Sequence, residues 1–385
     1  MEYKRPTRAE INLGAIDNNF ESIKKLISPE TLFMAVVKAD GYGHGAVRVS
    51  EEALECGADR LGVALPEEGI VLRKAGIKAP IQILGEIHPL ASLMVIENDL
   101  IPTLCSAVVA DVLGREAGRL GQRIKVHLKV DTGMNRLGLP VNDVPDFLRY
   151  LKQYPSLEVE GIFTHFACAD DPDSDYTQKQ LSSLRKLLSK LESGGFRFSL
   201  KHAANSAATI FFPETHLDMV RIGIALYGLH PSEATKNKID LEPVLSLISV
   251  VSQLKSVFAG EGASYGLTYK AAKDTKLALL PLGYGDGYTR LLSNKAEVVI
   301  ANQRFPVVGN VCMDQSLVEV GEANNIEVGD EVVLIGKQGG EEISADELAG
   351  ILGTINYEIT CMINKRVPRR YQKNTKKEGS RCSCS

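Results

Sequence analysis

From about residue 14 to residue 226, the chain alternates between short apolar segments and longer amphipathic ones. Eight segments rich in apolar and β-branched residues are FMAVV (33–37), LGVA (61–64), IQIL (81–84), IPTLC (101–105), IKVHLKV (124–130), EGIFTHF (160–166), FSLKHAA (198–204) and MVRIGIALYG (219–228). Segments with helical periodicity accompany them, such as AIDNNFESIKKLI, PEEGIVLRKAG and DYTQKQLSSLRKLLSKLE. Strands that alternate with helices favour an α/β fold, a parallel (β/α)8 barrel of the TIM type, and a doubly wound sheet is the alternative.

The pattern changes after PSEATKNKIDL (231–241), which lacks apolar periodicity and indicates a connection between domains. Beyond it, β-type segments such as KLALLPL and EVVLIG alternate with glycine and asparagine turns. One short helix is expected at SADELAGIL, capped by Ser344 with Glu347 three residues later. We therefore expect a barrel over residues 1–238, a mostly β domain over 239–373 and a disordered tail over 374–385. The first ten or so residues are candidates to pack with the β domain instead.

Length, composition and charge indicate a globular protein that acts on a small molecule. The 385 residues exceed one typical domain, and 44% hydrophobic with 24% charged residues is ordinary for a folded chain. A net charge of −4 gives no positive field to attract nucleic acid or an anionic membrane. Neither a signal peptide nor a segment of membrane-spanning length is apparent, so we expect a cytoplasmic protein.

The seven cysteines are scattered and odd in number, which favours free thiols over disulfides. We expect Cys168, Cys312 and Cys361 to be buried apolar thiols, with reactive nucleophiles as the alternative. No paired C-x-x-C or H-E-x-x-H spacing occurs, so no catalytic metal is expected. The glycine-rich segments GYGHG and GYGDGY lack the G-x-G-x-x-G spacing of a dinucleotide site.

Polar residues with chemical potential follow the predicted barrel strands, where the active sites of TIM barrels lie. Lys38 follows the first strand and opens a glycine-punctuated turn, KADGYGHG. The other candidates are Lys129 and Arg136 in and after strand five, His165 at the end of strand six, His202 and Ser206 after strand seven, and Arg221 in strand eight.

The loops after strands seven and eight, HAANSAAT and RIGIALYG, occupy the positions where such barrels often bind phosphate. A helix that opens at Ser206 would offer unpaired amides and a hydroxyl, and Gly223 permits close approach of a ligand. An ordinary helix cap is the alternative. A phosphate site here, with an amine after strand one, is what a Schiff base with pyridoxal phosphate requires.

The string AVVKADGYGHG resembles the cofactor-lysine signature of the alanine racemases, barrel-type (fold type III) enzymes that use pyridoxal phosphate. Further segments resemble that family in the same order across nearly the whole chain: HLKVDTGMNRLG, FTHFACAD, HAANSAAT, VRIGIALYG, ASYGLTY, GYGDGY, VGNVCMDQ and TINYEI. Gly41 departs from the alanine of many members, which puts no catalytic residue in doubt, and the cysteine-bearing tail matches no family motif. The resemblance implies an isomerase that interconverts L-alanine and D-alanine and supplies D-alanine for peptidoglycan.

The resemblance implies two acid–base residues. Lys38 should hold the cofactor and then act as a base on one face of the substrate, and Tyr265 should act on the other. A planar carbanion loses its proton from one face and regains it on the opposite face, which one side chain cannot easily serve. In the family, Tyr265 and Met313 come from the second subunit of a homodimer, so composite active sites are implied.

Arg221 should face the pyridine nitrogen of the cofactor. A guanidinium keeps its proton, so the nitrogen would accept a hydrogen bond and stay unprotonated. The cofactor then withdraws electrons less strongly, which limits transamination. Related barrel decarboxylases place a carboxylate there, so this arginine argues against them.

The remaining roles implied by the resemblance concern the cofactor, the substrate and access to the site. For the cofactor they are His165 beside the ring, His202 orienting Arg221, and Tyr42, Ser206, Tyr357 and the backbone of Gly223 and Ile224 at the phosphate. For the substrate they are Arg136, the Met313 amide and, at the entrance, Tyr284. Lys129 should be carbamylated and hold Arg136, with an uncharged or outward-pointing lysine as the alternative.

Two alternatives to an alanine-specific enzyme stay open. A serine-preferring or broad-specificity racemase is the first, because a small pocket rejects an added hydroxyl only about 10²-fold. A pyridoxal phosphate carrier protein is the second, since carriers share the barrel and its lysine but end near the close of the barrel. The additional domain with Tyr265 and Met313 favours catalysis.

Overall fold

The computed structural model describes residues 5–322 and 325–373, and contacts divide the chain into two compact units. The barrel unit comprises Ile16–Gly41 and Ala46–Glu242. The β unit comprises the described parts of Met1–Ala15, Tyr42–Gly45 and Pro243–Ser385. The tail predicted over residues 374–385 lies outside the described residues.

The barrel unit is built on eight parallel strands that close on themselves. They are β1 Leu32–Val36, β2 Arg60–Val63, β3 Ile81–Glu86, β4 Ile101–Leu104, β5 Ile124–Asp131, β6 Leu157–Phe163, β7 Leu200–His202 and β8 Met219–Ile222. Each strand pairs with the next, and β8 pairs with β1. The predicted (β/α)8 barrel is confirmed, and the doubly wound alternative is wrong because its sheet would be open.

Helices alternate with these strands. They are Leu13–Lys24, Ala46–Glu55, Pro66–Lys74, Ser92–Glu97, Ala107–Arg119, Val144–Leu151, Tyr176–Ser193 and Ser206–Phe211. In the longest, Leu181, Leu184, Leu188 and Leu191 are buried along one face, as the helical period of the sequence predicts. Since helices cover the outside and side chains fill the inside, the barrel strands are buried on both faces and read as continuous apolar segments.

The predicted strand bounds differ from those in the structure, most of all in the last three barrel strands. The sixth spans residues 157–163 rather than 160–166, and the seventh is only Leu200–His202. The eighth ends at Ile222, and Ile224–Tyr227 forms a 3-10 turn in which the Tyr227 hydroxyl donates to the Val36 carbonyl at 3.0 Å. Because this turn is as apolar and buried as a strand, the sequence pattern does not distinguish the two.

The β unit is built around a ten-stranded, mostly antiparallel sheet. Along the sheet the strands are Gln253–Val257, Thr275–Leu280, Ser316–Glu319, Gln303–Val308, Glu297–Ile300, Glu331–Gln338, Leu245–Val250, Arg8–Asn12 and Arg369–Gln372, with Glu341–Ile343 beside Glu331–Gln338. Arg8–Asn12 runs antiparallel to Leu245–Val250 and parallel to Arg369–Gln372, so the first described strand of the chain belongs to this sheet. A short hairpin pairs Gly262–Ala263 with Tyr269–Lys270.

Two α-helices, Ala345–Leu352 and Asn356–Met362, occur among the described residues of the β unit. Ser344 caps the first as predicted, since its Oγ accepts the Glu347 N–H at 3.0 Å. The second helix was not predicted, because the segment TINYEIT is rich in β-branched residues, which favour strands.

None of the five described cysteines forms a disulfide. Cys168 and Cys312 are half-buried, but Cys361 is exposed, so the expectation of burial is wrong for Cys361. Its place in the unpredicted helix Asn356–Met362 explains the error, because a short helix leaves one side in water. Within residues 5–322 and 325–373, no helix is long and apolar enough to span a lipid bilayer.

Candidate active site

Lys38 opens a left-handed turn two residues after β1 ends. Residues 39–41 have φ values between 52° and 62°, a conformation that costs a non-glycine residue roughly 1–2 kcal/mol. The Glu68 carboxylate holds the turn, because Oε1 accepts the Ala39 N–H at 2.6 Å and Oε2 accepts the Ala64 N–H at 2.7 Å. The backbone beside Lys38 is thus fixed to the loop that follows β2.

Arg221, in β8, is buried and bound by neutral acceptors. Its Nη1 donates to His202 Nδ1 at 2.9 Å. Its Nη2 donates to the carbonyl oxygens of Thr164 and Ala203, both at 2.9 Å, and lies 3.1 Å from His165 Nδ1. Burial lowers the pKa of Arg221 to about 9, so the side chain remains a cation at neutral pH.

The buried ring of Phe163 packs against three polar groups of this site. His202 stacks on it with ring centroids 4.7 Å apart and planes within 4°. Lys129 Nζ and Arg221 Cζ each lie 5.4 Å from its centroid. The strand register produces this arrangement, since Lys129 of β5 pairs with Phe163 of β6, which pairs with His202 of β7.

Lys129 is a buried amine among cations. Burial and the nearby charges of Arg221, Arg136 and Lys38 lower its pKa to about 8. About a tenth of the amine is therefore neutral at pH 7. Arg136 is exposed in the loop after β5 and makes no hydrogen bond or ion pair to another residue in the described part of the chain.

Ser206 begins the short helix after β7 and connects it to the loop after β8. Its Oγ accepts the N–H groups of Gly223 at 3.0 Å and Ala225 at 3.4 Å. Asn205 caps the helix, with Oδ1 accepting the Ala208 N–H at 2.9 Å. The hydroxyl hydrogen of Ser206 can still be donated to a ligand, because a serine hydroxyl both donates and accepts.

In the β unit, Tyr42 and Tyr357 are neighbours. Their ring centroids lie 6.1 Å apart and their planes meet at 54°. Tyr42 is buried and Tyr357 half-buried. Two phenol rings therefore lie side by side in one small region of this unit.

Tyr265 lies on a turn of the β unit that Asn310 holds. Ser264 has φ of 62°, and its hydroxyl donates to the Asn310 carbonyl at 2.5 Å. The Asn310 side-chain amide donates to the Tyr265 carbonyl at 2.6 Å. The Tyr265 side chain itself is 68% exposed, so the backbone is fixed while the phenol is accessible.

Tyr284 is joined to Met313 by backbone hydrogen bonds with the loop that also contains Asn310. The Tyr284 N–H donates to the Cys312 carbonyl at 2.9 Å, and the Gly285 N–H donates to the Met313 carbonyl at 2.8 Å. A Cβ on Gly283 would lie 2.0 Å from the Cys312 oxygen, so this approach requires glycine. The loop from Asn310 to Met313 therefore connects the three candidate residues Tyr265, Tyr284 and Met313.

Comparison with known families covers both units. A family model described as alanine racemase, N-terminal domain, matches residues 11–231, and one described as alanine racemase, C-terminal domain, matches residues 244–371. The chain belongs to the alanine racemase family. This confirms the family and the enzyme class, an isomerase, that the motifs predicted.

Individual alanine racemases are similar along their whole length. A protein of that name from Desulfovibrio desulfuricans is 47% identical over 371 residues, which is 96% of this chain and 99% of the relative. The structure of the alanine racemase of Clostridium difficile 630 has a TM-score of 0.93 and 40% identity, with 97% of each chain covered. A histidine racemase from Leuconostoc mesenteroides subsp. sake has a TM-score of 0.88 and 30% identity, with 96% of this chain and 99% of that chain covered.

In this alanine racemase family member, several of the predicted site residues contact one another. In the barrel unit these are Arg221 with His202 and His165, Lys129 and Arg221 across Phe163, and Ser206 with Gly223. In the β unit the Asn310–Met313 loop joins Tyr265, Tyr284 and Met313, and Tyr42 lies beside Tyr357.

Several residues that contact the candidate site residues were not predicted from the sequence. Phe163 is an apolar residue in an apolar strand, so nothing in the sequence distinguishes it from an ordinary core residue. Asn310 lies in the quoted motif VGNVCMDQ but was given no role. His127 shares a strand face with Lys129 two residues later, and Glu160 is a charge in an apolar strand, so both carried a signal.

Asp286 anchors the turn that carries Tyr284. Its carboxylate is 1% exposed and accepts hydrogen bonds from Arg5 Nη1 at 2.6 Å, Arg5 Nη2 at 2.8 Å and Arg366 Nε at 2.7 Å. Burial alone would raise the pKa of Asp286, but the hydrogen bonds from Arg5 and the Gly283 N–H lower it.

Asp286→Asn is expected to lower the free energy of unfolding by about 3 kcal/mol, the lower end of the range for a broken buried ion pair. The value is at the lower end because both arginines are partly exposed. Urea denaturation measures it, with Asp314→Asn as the control, since Asp314 is an exposed partner of the same Arg366. Equal stability of the two variants would contradict the anchoring role.

Acid should destabilise this racemase family member through its buried histidines. Burial lowers the pKa of His127, His165, His202 and His216, so these rings bind protons less readily in the folded state than in the unfolded chain. The unfolded chain protonates them near pH 6.5, so it binds more protons and stability falls as the pH drops below that value. Each fully neutral ring contributes up to about 1.4 kcal/mol per pH unit.

The measurement is the urea midpoint between pH 7 and pH 5, which should decrease steadily. His216→Gln is the matched variant, because glutamine can still donate to the Thr209 carbonyl that His216 Nε2 contacts at 3.0 Å. His216→Gln should reduce the dependence of stability on pH by at most the effect of one bound proton. A urea midpoint that does not change with pH would show that the histidine rings have the same pKa in the folded and unfolded states.

Proposed function

We propose that this protein interconverts L-alanine and D-alanine with pyridoxal phosphate as its cofactor, and that Lys38 and Tyr265 are its two acid–base residues. The observation that carries the proposal is the closure of the barrel between β8 and β1. Arg221 pairs in register with Met34 of β1, and Lys38 lies two residues after the end of that strand. An amine and a buried guanidinium are thereby assigned to one end of the barrel, where TIM-barrel chemistry occurs.

The polar groups at this end fit pyridoxal phosphate. Lys38 offers an amine for the covalent link, and Arg221 offers a donor to the pyridine nitrogen. The Ser206 hydroxyl and the Ile224 amide, with Gly223 held beside them, suit the phosphate. When bound, the cofactor supplies a conjugated ring that withdraws electrons from the Cα–H bond of the substrate.

Two phenols of the β unit, those of Tyr42 and Tyr357, are proposed as further phosphate contacts. Their proximity, with ring centroids 6.1 Å apart, supports a shared anionic ligand. His165 is proposed to flank the cofactor ring, because its Nδ1 already lies 3.1 Å from Arg221 Nη2.

The proton exchange is assigned to residues on opposite faces of the substrate. Lys38 would hold the cofactor through its amine and would remove or return the Cα proton on one face. Tyr265 exchanges the proton on the other face, since one side chain cannot serve both. Arg221, which stays protonated, would donate to the pyridine nitrogen without protonating it, and this would favour return of the proton to Cα.

Arg136 and the Met313 amide are proposed to bind the substrate carboxylate. Arg136 suits this role because it is an exposed cation that follows β5 and has no ion-pair partner in the described ranges. Lys129 is proposed to be carbamylated. Its neutral amine nitrogen bonds to the carbon of CO₂ and loses one proton, which leaves a negative charge to hold Arg136 and Arg221 in place of repulsion.

A carbamate on Lys129 is expected to give a ¹³C NMR signal after exposure of the protein to ¹³C-bicarbonate. The signal should be absent from Lys129→Ala and present in Lys152→Ala, an exposed lysine of the same unit. Lys129→Ala should also raise KM for alanine about 10- to 100-fold, the effect of one lost charge-assisted hydrogen bond. An unmodified wild-type lysine with normal KM would overturn this assignment.

We also propose a homodimer in which the second subunit supplies Tyr265 and Met313. Large apolar side chains of the β unit are exposed, among them Tyr265 at 68%, Leu267 at 57% and Met313 at 52%. Exposed apolar groups of this size are typical of protein interfaces. Analytical ultracentrifugation should give a dimer, and a monomer with full activity would contradict the composite site.

Alanine is the proposed substrate, and a broad-specificity or serine-preferring racemase is the second candidate. The 47% identity to a protein named alanine racemase favours the first. The 30% identity to a histidine racemase favours keeping the second, because one fold then accommodates different side chains. Measuring kcat/KM for alanine, serine and histidine decides between them. Comparable values for alanine and serine would support the broad enzyme.

We propose that the D-alanine formed by this reaction is used to build peptidoglycan. A bacterial strain that requires added D-alanine tests this directly. Wild-type protein should restore growth without the supplement, and Lys38→Ala should not. Growth that still depends on added D-alanine, with the protein expressed, would contradict the proposal.

A further inference from the structure

A chain of hydrogen bonds runs from Arg221 through the barrel interior to Glu160. Arg221 Nη1 donates to His202 Nδ1 at 2.9 Å, His202 Nε2 lies 2.9 Å from His127 Nδ1, and His127 Nε2 lies 3.0 Å from Glu160 Oε2. All four residues are buried, with 0 to 5% exposure. The side chains come from four strands, β8, β7, β5 and β6, so only the folded barrel forms the chain.

The end groups fix the direction of each hydrogen bond. A guanidinium only donates, so His202 Nδ1 accepts and its Nε2 carries the hydrogen. His202 Nε2–H then donates to His127 Nδ1, and His127 Nε2–H donates to the Glu160 carboxylate. Protonation of either ring would bring two donors together, and burial lowers the pKa of both rings, so both are neutral.

Glu160 is held as an anion at the far end. Arg60 donates to it through Nη1 at 2.7 Å and Nη2 at 3.1 Å, and Lys125 Nζ donates at 2.7 Å. Burial favours the neutral acid, but hydrogen bonds from His127, Arg60 and Lys125 hold the pKa of Glu160 well below its usual range. The chain therefore joins a fixed cation to a fixed anion through two neutral rings.

The backbone makes room for the central ring. A Cβ on Gly161 would lie 2.6 Å from His127 Cε1 and Nδ1, so a larger residue at 161 would displace the imidazole. The pairing of β5 with β6 also shifts register between Val126 and His127. The second ring of the hydrogen-bond chain, that of His202, stacks on Phe163. These features hold both imidazoles in the orientation that the chain needs.

We propose that His127 and Glu160 are positioning residues that act through His202 to hold the Arg221 guanidinium in one orientation. Given the proposed function, that orientation directs an N–H of Arg221 at the pyridine nitrogen. The contacts described for Arg221 use Nη1 and Nη2, which leaves Nε–H among its donors. Without this chain of hydrogen bonds, His202 can adopt its other tautomer, with Nδ1–H facing Arg221. The guanidinium must then move.

Four variants distinguish the effect of the hydrogen-bond chain from the effect of side-chain packing. His127→Leu removes both ring nitrogens, whereas His127→Gln retains an acceptor for His202 and a donor for Glu160. Glu160→Gln removes the charge and keeps the size of the side chain. Glu158→Gln is the matched control, because Glu158 lies on the same strand and pairs only at 3.5 Å with the exposed Arg123.

The first readout needs no cofactor. In protein labelled with ¹⁵N-histidine, NMR of the wild type should give neutral His127 and His202 with hydrogen on Nε2. In His127→Leu, His202 should show a mixture of tautomers, and in Glu160→Gln the His127 Nε2–H proton should move upfield. His127→Gln and Glu158→Gln should retain the wild-type state of His202.

The second readout is the amount of pyruvate formed per racemisation turnover in the loaded enzyme. It should rise about tenfold in His127→Leu and Glu160→Gln and stay within about twofold of wild type in His127→Gln and Glu158→Gln. If His127→Leu does not fold, Glu160→Gln decides. An unchanged His202 tautomer together with an unchanged pyruvate ratio would overturn the proposal. A wild type that makes no D-alanine would refute the proposed function, while the spectra of the cofactor-free protein still test the chain.

Discussion

Lys38→Ala is expected to abolish the absorbance of the lysine-bound cofactor and to lower racemisation at least about 10⁴-fold. A positioned acid–base group alone contributes about 10²- to 10⁴-fold, and this variant also removes the covalent attachment. The left-handed turn held by Glu68 fixes the backbone next to Lys38.

Absorbance spectra of the protein with pyridoxal phosphate, together with a D-alanine assay, measure both effects. Lys74→Ala is the control, since Lys74 is an exposed lysine at the end of the helix Pro66–Lys74. Its spectrum and turnover should match wild type. If Lys38→Ala kept the absorbance band and turnover within tenfold of wild type, Lys38 would not be the cofactor lysine.

Tyr265→Phe is expected to retain the lysine-bound absorbance but to lower turnover about 10²- to 10⁴-fold, most severely with L-alanine. Only the hydroxyl is removed. Phenylalanine leaves intact the two hydrogen bonds that hold the turn, from the Ser264 hydroxyl to the Asn310 carbonyl and from the Asn310 side-chain amide to the Tyr265 carbonyl. Lys38 can still serve one face of the substrate, so the two substrate enantiomers should be affected unequally.

Initial rates with L-alanine and D-alanine as separate substrates test this asymmetry. Tyr150→Phe, at a half-exposed position in the barrel helix Val144–Leu151, is the control and should leave both rates unchanged. Full activity of Tyr265→Phe would refute the two-base assignment.

Mixed dimers then test whether the two residues come from different subunits. When equal amounts of Lys38→Ala and Tyr265→Phe chains are assembled together, half of the dimers are hybrids. One of the two sites in each hybrid contains both native residues, so up to about a quarter of wild-type activity should return. No recovery in verified hybrids would contradict composite sites.

The fold was predictable because its strands have a strong sequence signal. Parallel strands covered on both faces appear as uninterrupted apolar segments, and all eight were found. Their ends were less predictable, since the Ile224–Tyr227 turn is buried and apolar like the strand before it. The helix Asn356–Met362 was missed because its β-branched residues favour a strand locally, and tertiary packing decides otherwise.

The candidate site was predictable where a polar residue interrupts an apolar segment. Lys129 and Arg221 stand out for that reason, and Lys38 stands out because it directly follows such a segment. The connection from His202 to His127 and Glu160 depends on which side chains of neighbouring strands meet inside the closed barrel. That meeting is set by strand register, including the shift between β5 and β6, and a one-residue shift would send each side chain to the other face.

The central claim is that the protein exchanges the Cα proton of alanine and returns it to either face. The most direct measurement is deuterium incorporation at Cα of L-alanine in D₂O, with pyridoxal phosphate, alongside the formation of D-alanine. We predict that deuterated D-alanine appears and that the recovered L-alanine also carries deuterium at equilibrium. No incorporation, in protein whose lysine has bound the cofactor, would contradict racemisation and leave a cofactor-binding protein or an enzyme for a different amino acid.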